Sequence, residues 1–492
     1  MPSEPRPTLF LLHALGTSRR EFDLVGAALD GRFEMVQIDL AGFGDASTST
    51  GTTVEDMRTE VLERIRRHGA TRWMLVGHSM GGKIASAVAA RVMAGAPGVF
   101  GLAGVVLLAA SPPVPEPMDE DRRAEMLGWA RSTDGRLVDH LSADAARTFI
   151  DANVGSPLDP ARDDSVRADL LRASPEAWTD WLTTGSREDW SHDVGTLDVP
   201  ALIVAGGADG DLGPDAQRSL NGAVYPGARF LTLDGAGHLL PLERPDEVAD
   251  AIAGFWDDVA GRAPIIPEDV VGTIASGRTS ARTRSILAAR ALADDPDRAP
   301  EALTTQQLAT LRALADRVVP QGPFADGTAP IDIAARVDAQ LAAGAGDGWR
   351  NAMLPPDRDA YGLGLDALAG FTEMTAEDQD ARIGEIVDSS FVPEHGDSAG
   401  AAGVEQHGAT DDGDSASTVF SAAQMTIWFE DARVDLVRQW LAHPATMARI
   451  GFDGFANGGD GTRLQGFQLL GADEKEGWEP RMETATSMET TR

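Results

Sequence analysis

Trp73-Met74-Leu75-Val76-Gly77-His78-Ser79-Met80-Gly81-Gly82-Lys83-Ile84 decides the fold. A short apolar run, 73–76, reads as a buried strand, and an apolar, small-residue segment from Gly82 to Met93 reads as a helix. Between them Gly77 to Gly81 spell G-x-S-x-G. In that context Ser79 occupies a sharp strand-to-helix turn that lifts its hydroxyl above the sheet edge. Glycines at 77 and 81 leave room for strand and helix to approach closely. The N–H of Met80, at the positive end of the helix, can donate to an oxyanion.

Working outward, residues 9–12, 35–38, 73–76, 105–109, 202–205 and 230–233 form six short apolar, β-branched runs. Helix-period segments such as 54–67, 82–93 and 245–259 separate most of them, which predicts parallel strands joined by crossover helices. The exception is 112–198, a long helical stretch with Trp129, Trp178, Trp181 and Trp190. It is expected to be a lid over the active edge of the sheet. The fold class is therefore α/β, a doubly wound, mostly parallel sheet with a helical lid.

A serine needs a base to take its proton. His238 follows the run 230–233 in the loop Asp234-Gly235-Ala236-Gly237-His238, at the ligand-binding edge of such a sheet. The acid that orients the base should follow the preceding strand. Asp209, in Gly206-Gly207-Ala208-Asp209, stands there, with Asp211 as the alternative. The loop after the first strand, His13-Ala14-Leu15-Gly16, should supply the second oxyanion donor, the N–H of Leu15 or else of Ala14. His13 reads as a structural loop residue.

Together these residues resemble the α/β-hydrolase superfamily over about 8–260, in particular lidded esterases and cofactor-free haloperoxidase-like hydrolases. Ala14 stands where that family usually has glycine. Serine at 79, rather than aspartate, implies acyl transfer to water from an ester, thioester, lactone or β-diketone, with no cofactor.

The 492 residues suggest more than one domain. The expected division is 1–262, a linker 263–302, a helical domain 303–478 with a disordered insert at 392–417, and a tail 479–492. Leu308, Leu311, Ala315 and Val318 share one helical face, short helices are expected at 366–371 and 379–387, and Met425, Trp428, Phe429, Ala432, Leu436 and Trp440 form a stripe at helical spacing. Residues 303–470 resemble the small subunit (subunit 3) of gluconate 2-dehydrogenase. The carriers are Leu311-x-x-Leu314-x-Asp316-x-Val318-Val319-Pro320, Ile331-Asp332, Leu365-Asp366-Ala367-Leu368, Trp428-Phe429-Glu430-Asp431, His443-Pro444 and Gly451-Phe452-Asp453-Gly454 with Asn457-Gly458-Gly459-Asp460-Gly461. The resemblance implies a docking module for a flavin-dependent sugar or aldonate dehydrogenase. A non-catalytic subunit or assembly chaperone of a flavin oxidoreductase is the alternative for the whole chain.

The absence of cysteine excludes disulfides, thiolate catalysis and Cys-based metal sites. No His and carboxylate cluster at metal-ligand spacing is visible. A net charge of −35 disfavours nucleic acid and anionic lipid as partners and leaves a small acyl substrate. No apolar run reaches membrane-spanning length and no export signal is visible, so a cytoplasmic setting is expected, with co-export on a partner as the alternative.

Overall fold

The computed structural model describes residues 6–322, 330–346, 351–392, 419–452, 454 and 460. Six strands form one parallel sheet in the order β2-β1-β3-β4-β5-β6. They are β1 Thr8–Leu12, β2 Glu34–Ile38, β3 Trp73–His78, β4 Leu102–Leu108, β5 Ala201–Gly206 and β6 Arg229–Leu233. Each of the six expected runs lies in one of them, apart from Ala109, which falls just past the end of β4.

The four central strands are buried on both faces, as the unbroken apolar runs require. Phe10, Leu75 and Ile203 enter one core and Leu9, Val76 and Val204 the other, as side chains alternate across the sheet. Helices Val54–His68 and Met80–Met93 return the chain between strands, and Pro245–Asp258 follows the last one. The segment between β4 and β5 contains helices Glu120–Trp129, Ala143–Asn153, Pro160–Arg172, Pro175–Asp180 and Ser191–Val194.

The chain divides into two compact units. One is 1–295 together with the chain from 447 onward, and the other is 296–446. This differs from the expected division. The stretch 263–302, expected as a linker with one short helix, carries two, Glu268–Ala275 and Ala281–Ala291. Val270, Val271, Ile274 and Leu287 pack with Phe100, and Met447 and Ala448 join them. The second helix has no long apolar stripe, because Arg284, although buried, satisfies its guanidinium on the carbonyls of Gly95 and Ser276 (2.9 and 2.8 Å).

The unit 296–446 is built from helices Thr305–Val318, Ile333–Ala342, Asp357–Asp366, Ala376–Val387 and Ala422–Leu441. Capping boxes start the first and the last of these, through Thr304 with Gln307 and Ser421 with Gln424. Leu308, Leu311, Leu314, Val337, Trp428 and Leu436 share its core. The expected helix at 366–371 does not form: helix Asp357–Asp366 stops at its first residue. The chain then turns at Gly370, whose φ of 82° suits glycine. The insert from 393, Asp453, Asn457 to Gly459, and everything from Gly461 to the tail lie outside the described residues. Among the described residues no helix is long and apolar enough to cross a membrane, and no group of His, Asp and Glu is arranged to hold a metal ion.

Candidate active site

Because all six strands run the same way, the loops after β1, β3, β5 and β6 emerge at one edge. Ser79, directly after β3, has φ 49° and ψ −118°. A non-glycine residue there stores about 1–3 kcal/mol and persists only where its surroundings fix it. Here the Ser79 N–H donates to the Leu108 carbonyl (3.0 Å), and the Ser79 carbonyl accepts from Gly82 and Ser111 (2.8 and 2.9 Å). A Cβ at Gly81 would stand 2.2 Å from the Leu12 carbonyl oxygen, and one at Gly77 2.5 Å from the Gly81 oxygen. Only glycine fits either place.

The structure brings Ser79, His238 and Asp209 into one line. The Ser79 Oγ lies 2.8 Å from His238 Nε2, and His238 Nδ1 lies 2.7 Å from Asp209 Oδ2. The other Asp209 oxygen accepts the Leu212 N–H at 3.2 Å. Asp211 turns away to Arg122, 3.4 Å distant. Burial works against a charged His238, but the Asp209 carboxylate and its hydrogen bond, with Glu116 farther off, more than offset this and raise the imidazole above its ordinary value. Burial likewise opposes the Asp209 charge, and His238 with the loop N–H groups holds the carboxyl below its usual range.

The N–H groups of Met80 and Leu15 make no hydrogen bond among the described residues. That of Ala14 is taken by Glu21 Oε1 at 3.3 Å, so the alternative donor is occupied. Ala14 has ordinary negative φ, so glycine is not required there. His13 is fully buried and structural in its contacts. Its Nε2 accepts the Leu40 N–H (3.0 Å) and its Nδ1 faces the Ala14 carbonyl (2.7 Å).

Several groups at the site had no sequence signature. Glu21, buried, accepts from Thr17 Oγ1 (2.6 Å) and faces His78 Nδ1 (2.8 Å). The opposite nitrogen of His78 meets the His238 carbonyl at 2.8 Å. A buried pair thus ties the 13–17 loop to the backbone of His238. Asn153, at the end of its helix, accepts the N–H groups of His238 and Leu239 through its carbonyl (2.8 and 3.1 Å). Lys83, fully buried one turn beyond Ser79, donates to the carbonyls of Gly185 and Glu188 at 2.9 and 2.8 Å. Burial brings its ammonium down to about 8. A cavity of about 60 Å³ adjoins the reacting line, walled by Ser79, His238, Glu116, Arg122, Phe149 and Trp181 among others.

Residues 9–251 match the sequence pattern of the Alpha/beta hydrolase family. A 2-succinyl-6-hydroxy-2,4-cyclohexadiene-1-carboxylate synthase of Serratia proteamaculans (strain 568) is 26% identical over 251 residues, 51% of this chain and 93% of the relative. A pimeloyl-[acyl-carrier protein] methyl ester esterase of Neisseria meningitidis (serogroup A, strain Z2491) is 26% identical over 261 residues, 52% of this chain and 79% of the relative. The solved enol-lactonase from Burkholderia xenovorans LB400 is 23% identical with a TM-score of 0.44, over 52% of this chain and 94% of that one.

Proposed function

With residues 9–251 forming an alpha/beta hydrolase domain, and the protein a hydrolase, we propose that it cleaves an ester, thioester or lactone through an acyl-enzyme on Ser79. The observation that carries this reading is the continuous line Ser79 Oγ, His238 Nε2, His238 Nδ1, Asp209 Oδ2 at 2.8 and 2.7 Å.

His238 takes the Ser79 proton at Nε2 as Oγ bonds to the acyl carbon. The carbonyl becomes an oxyanion, which the N–H groups of Met80 and Leu15 receive. Asp209 holds Nδ1 protonated and stabilises the imidazolium. On collapse the bond to the alcohol or thiol breaks, and the leaving group takes the proton from Nε2. Water then attacks the acyl-enzyme, His238 accepts its proton, and the second collapse returns that proton to Ser79 as the carboxylic acid leaves. The helical segment 112–198 acts as the lid, and Lys83 fastens it behind Trp181.

The test is labelling by a fluorophosphonate together with hydrolysis of p-nitrophenyl acetate. Both should be lost in Ser79→Ala, with kcat down by about 10⁴-fold or more. A folded wild-type protein that takes no label and cleaves no ester, thioester or lactone overturns the reading.

The role of 296–446 as a docking module for a flavin-dependent sugar or aldonate dehydrogenase rests on the sequence resemblance of 303–470. Its test is co-purification of a flavin-bearing partner that tolerates Ser79→Ala and needs residues 296–446.

A further inference from the structure

Resting on the hydrolase reading, we infer that Glu116 selects the acyl group. The substrate is an ester of a short hydroxy acid, whose hydroxyl meets the free oxygen of the Glu116 carboxyl inside the cavity beside Ser79.

The cavity has room for about four or five water-sized groups at its volume of about 60 Å³. That admits an acyl chain of about four heavy atoms beyond the reacting carbon. A neighbouring space of about 300 Å³ shares the wall made by Arg122, Met126, Phe149 and Asn153, and can take a larger leaving group.

The polar groups around the small cavity are mostly committed. Asp209 is on His238, and Asp211 is on Arg122. Arg122 also donates to Asn153 Oδ1 (3.2 Å), and the Asn153 amide donates to the Phe149 carbonyl (2.7 Å). Glu116 differs. Ser111 Oγ donates to its Oε2 at 3.1 Å and its N–H is fixed on the Ser186 carbonyl at 2.8 Å, so the side chain is aimed. Its Oε1 has no hydrogen-bond partner among the described residues, and the side chain lines the cavity.

Glu116 is half-buried, and a polar ligand group that reaches its free oxygen gains a hydrogen bond there. Burial raises its pKa, against the opposing pull of His238, the Ser111 hydroxyl, Lys83 and Arg123. The carboxyl accepts a hydrogen bond through Oε1 when ionised and both gives and accepts one when protonated. A hydroxyl satisfies both roles. A substrate carboxylate would meet Glu116 as a like charge whenever the acid ionised, and a plain alkyl chain would leave Oε1 bare.

The experiment compares p-nitrophenyl 3-hydroxybutyrate with p-nitrophenyl butyrate, matched in chain length and leaving group. In the wild-type enzyme kcat/KM should favour the hydroxy ester about tenfold, the worth of one added hydrogen bond. Glu116→Leu should bring the ratio near one, and Glu116→Gln should keep part of the preference. Fluorophosphonate labelling of Ser79 checks that each variant holds an assembled site. Equal kcat/KM for the two esters in the wild-type enzyme overturns the proposal and leaves the hydrolase reading standing. A preference that survives Glu116→Leu overturns it too. Loss of labelling and of all hydrolysis in the wild-type enzyme strikes the hydrolase reading itself.

Discussion

The two compact units bury polar groups for different ends. In the first, such groups gather at the reacting residues: His238 meets Ser79 across 159 positions, and Glu21 meets His78 across 57. They converge where parallel strands end, around a cavity. In the second, the buried carboxylate of Asp338 closes on the N–H groups of Glu301, Ala302 and Leu303 (2.7, 3.0 and 2.7 Å). Tyr361 donates to Asp435 at 2.8 Å, and His443 Nδ1 accepts the Ala445 N–H at 3.1 Å. These bonds start or clamp helices. A rigid sheet edge can hold a strained residue such as Ser79 and a spare acid such as Glu116. A bundle of short helices spends comparable groups on starting its helices and tying them to one another.

The largest expected effect that separates the units lies in the acid beside the imidazole. Asp209→Asn should lower kcat on p-nitrophenyl acetate by about 10⁴-fold, because the amide favours the wrong imidazole tautomer. Asp211→Asn, which loosens only a half-exposed pair with Arg122, should stay within about threefold. Equal losses from the two would break the assignment. The pH profile sharpens it. His238 works as the neutral base, so kcat/KM rises with pH through its pKa, and the raised imidazole puts that midpoint above 6.5. Asp209→Asn removes the leading favourable cause and should move the midpoint down.

Much of this was legible beforehand, and the reason is geometric. G-x-S-x-G, the acid after β5 and the His after β6 sit at fixed strand ends, so their order alone placed them on one edge. Parallel strands buried on both faces announce themselves as apolar runs. Glu116, Arg122, Lys83 and Glu21 gave no such sign. They reach the site from helices and loops whose packing depends on every neighbour, and spacing carries no record of that. His443 lies between two helices: its N–H donates to the Trp440 carbonyl at the end of one, and its Nδ1 accepts the Ala445 N–H at the start of the next, Pro444–Arg449. Burial lowers its pKa to about 3, with Arg336 adding to the effect, so it stays neutral. Helices were located by their apolar stripes, and failed where a buried arginine or a glycine turn replaced the stripe, as at Arg284 and Gly370.

A smaller effect should fall on the second unit alone. Asp338→Ala leaves three backbone N–H groups without their carboxylate, and about 3 kcal/mol of stability should go with them. Urea unfolding followed by tryptophan fluorescence should show an earlier transition. Fluorophosphonate labelling of Ser79 should persist below the transition of the first unit. Loss of labelling together with that early transition would mean that the two units do not hold their polar groups independently.

The smallest effect expected comes from Lys83, and the composition makes it readable. The chain has two lysines, Lys83 and Lys475, and two tyrosines, Tyr225 and Tyr361. Burial raises both tyrosines well above 10, so the folded protein keeps both protonated in this range and the unfolded chain begins to ionise them only as pH nears 10. Lys83 is the reverse case. Burial lowers its folded value to about 8, against 10.5 for the free side chain. Below pH 8 both states carry the charge and the fold bears its full desolvation. Between about 8 and 10 the folded form sheds the proton while the unfolded form keeps it, so the unfolded state binds more protons and stability rises with pH. The rise should amount to about 2 kcal/mol for the first unit, read as an increasing urea midpoint. Lys83→Met should flatten it. That substitution also leaves the Gly185 and Glu188 carbonyls without their shared donor, so activity should fall at every pH as Trp181 loses its support. A midpoint that drops between pH 8 and 10 in the wild-type protein would show that the ammonium gains more from those two carbonyls than it loses on leaving water. The first unit would then resemble the second, with its buried charge serving as a staple.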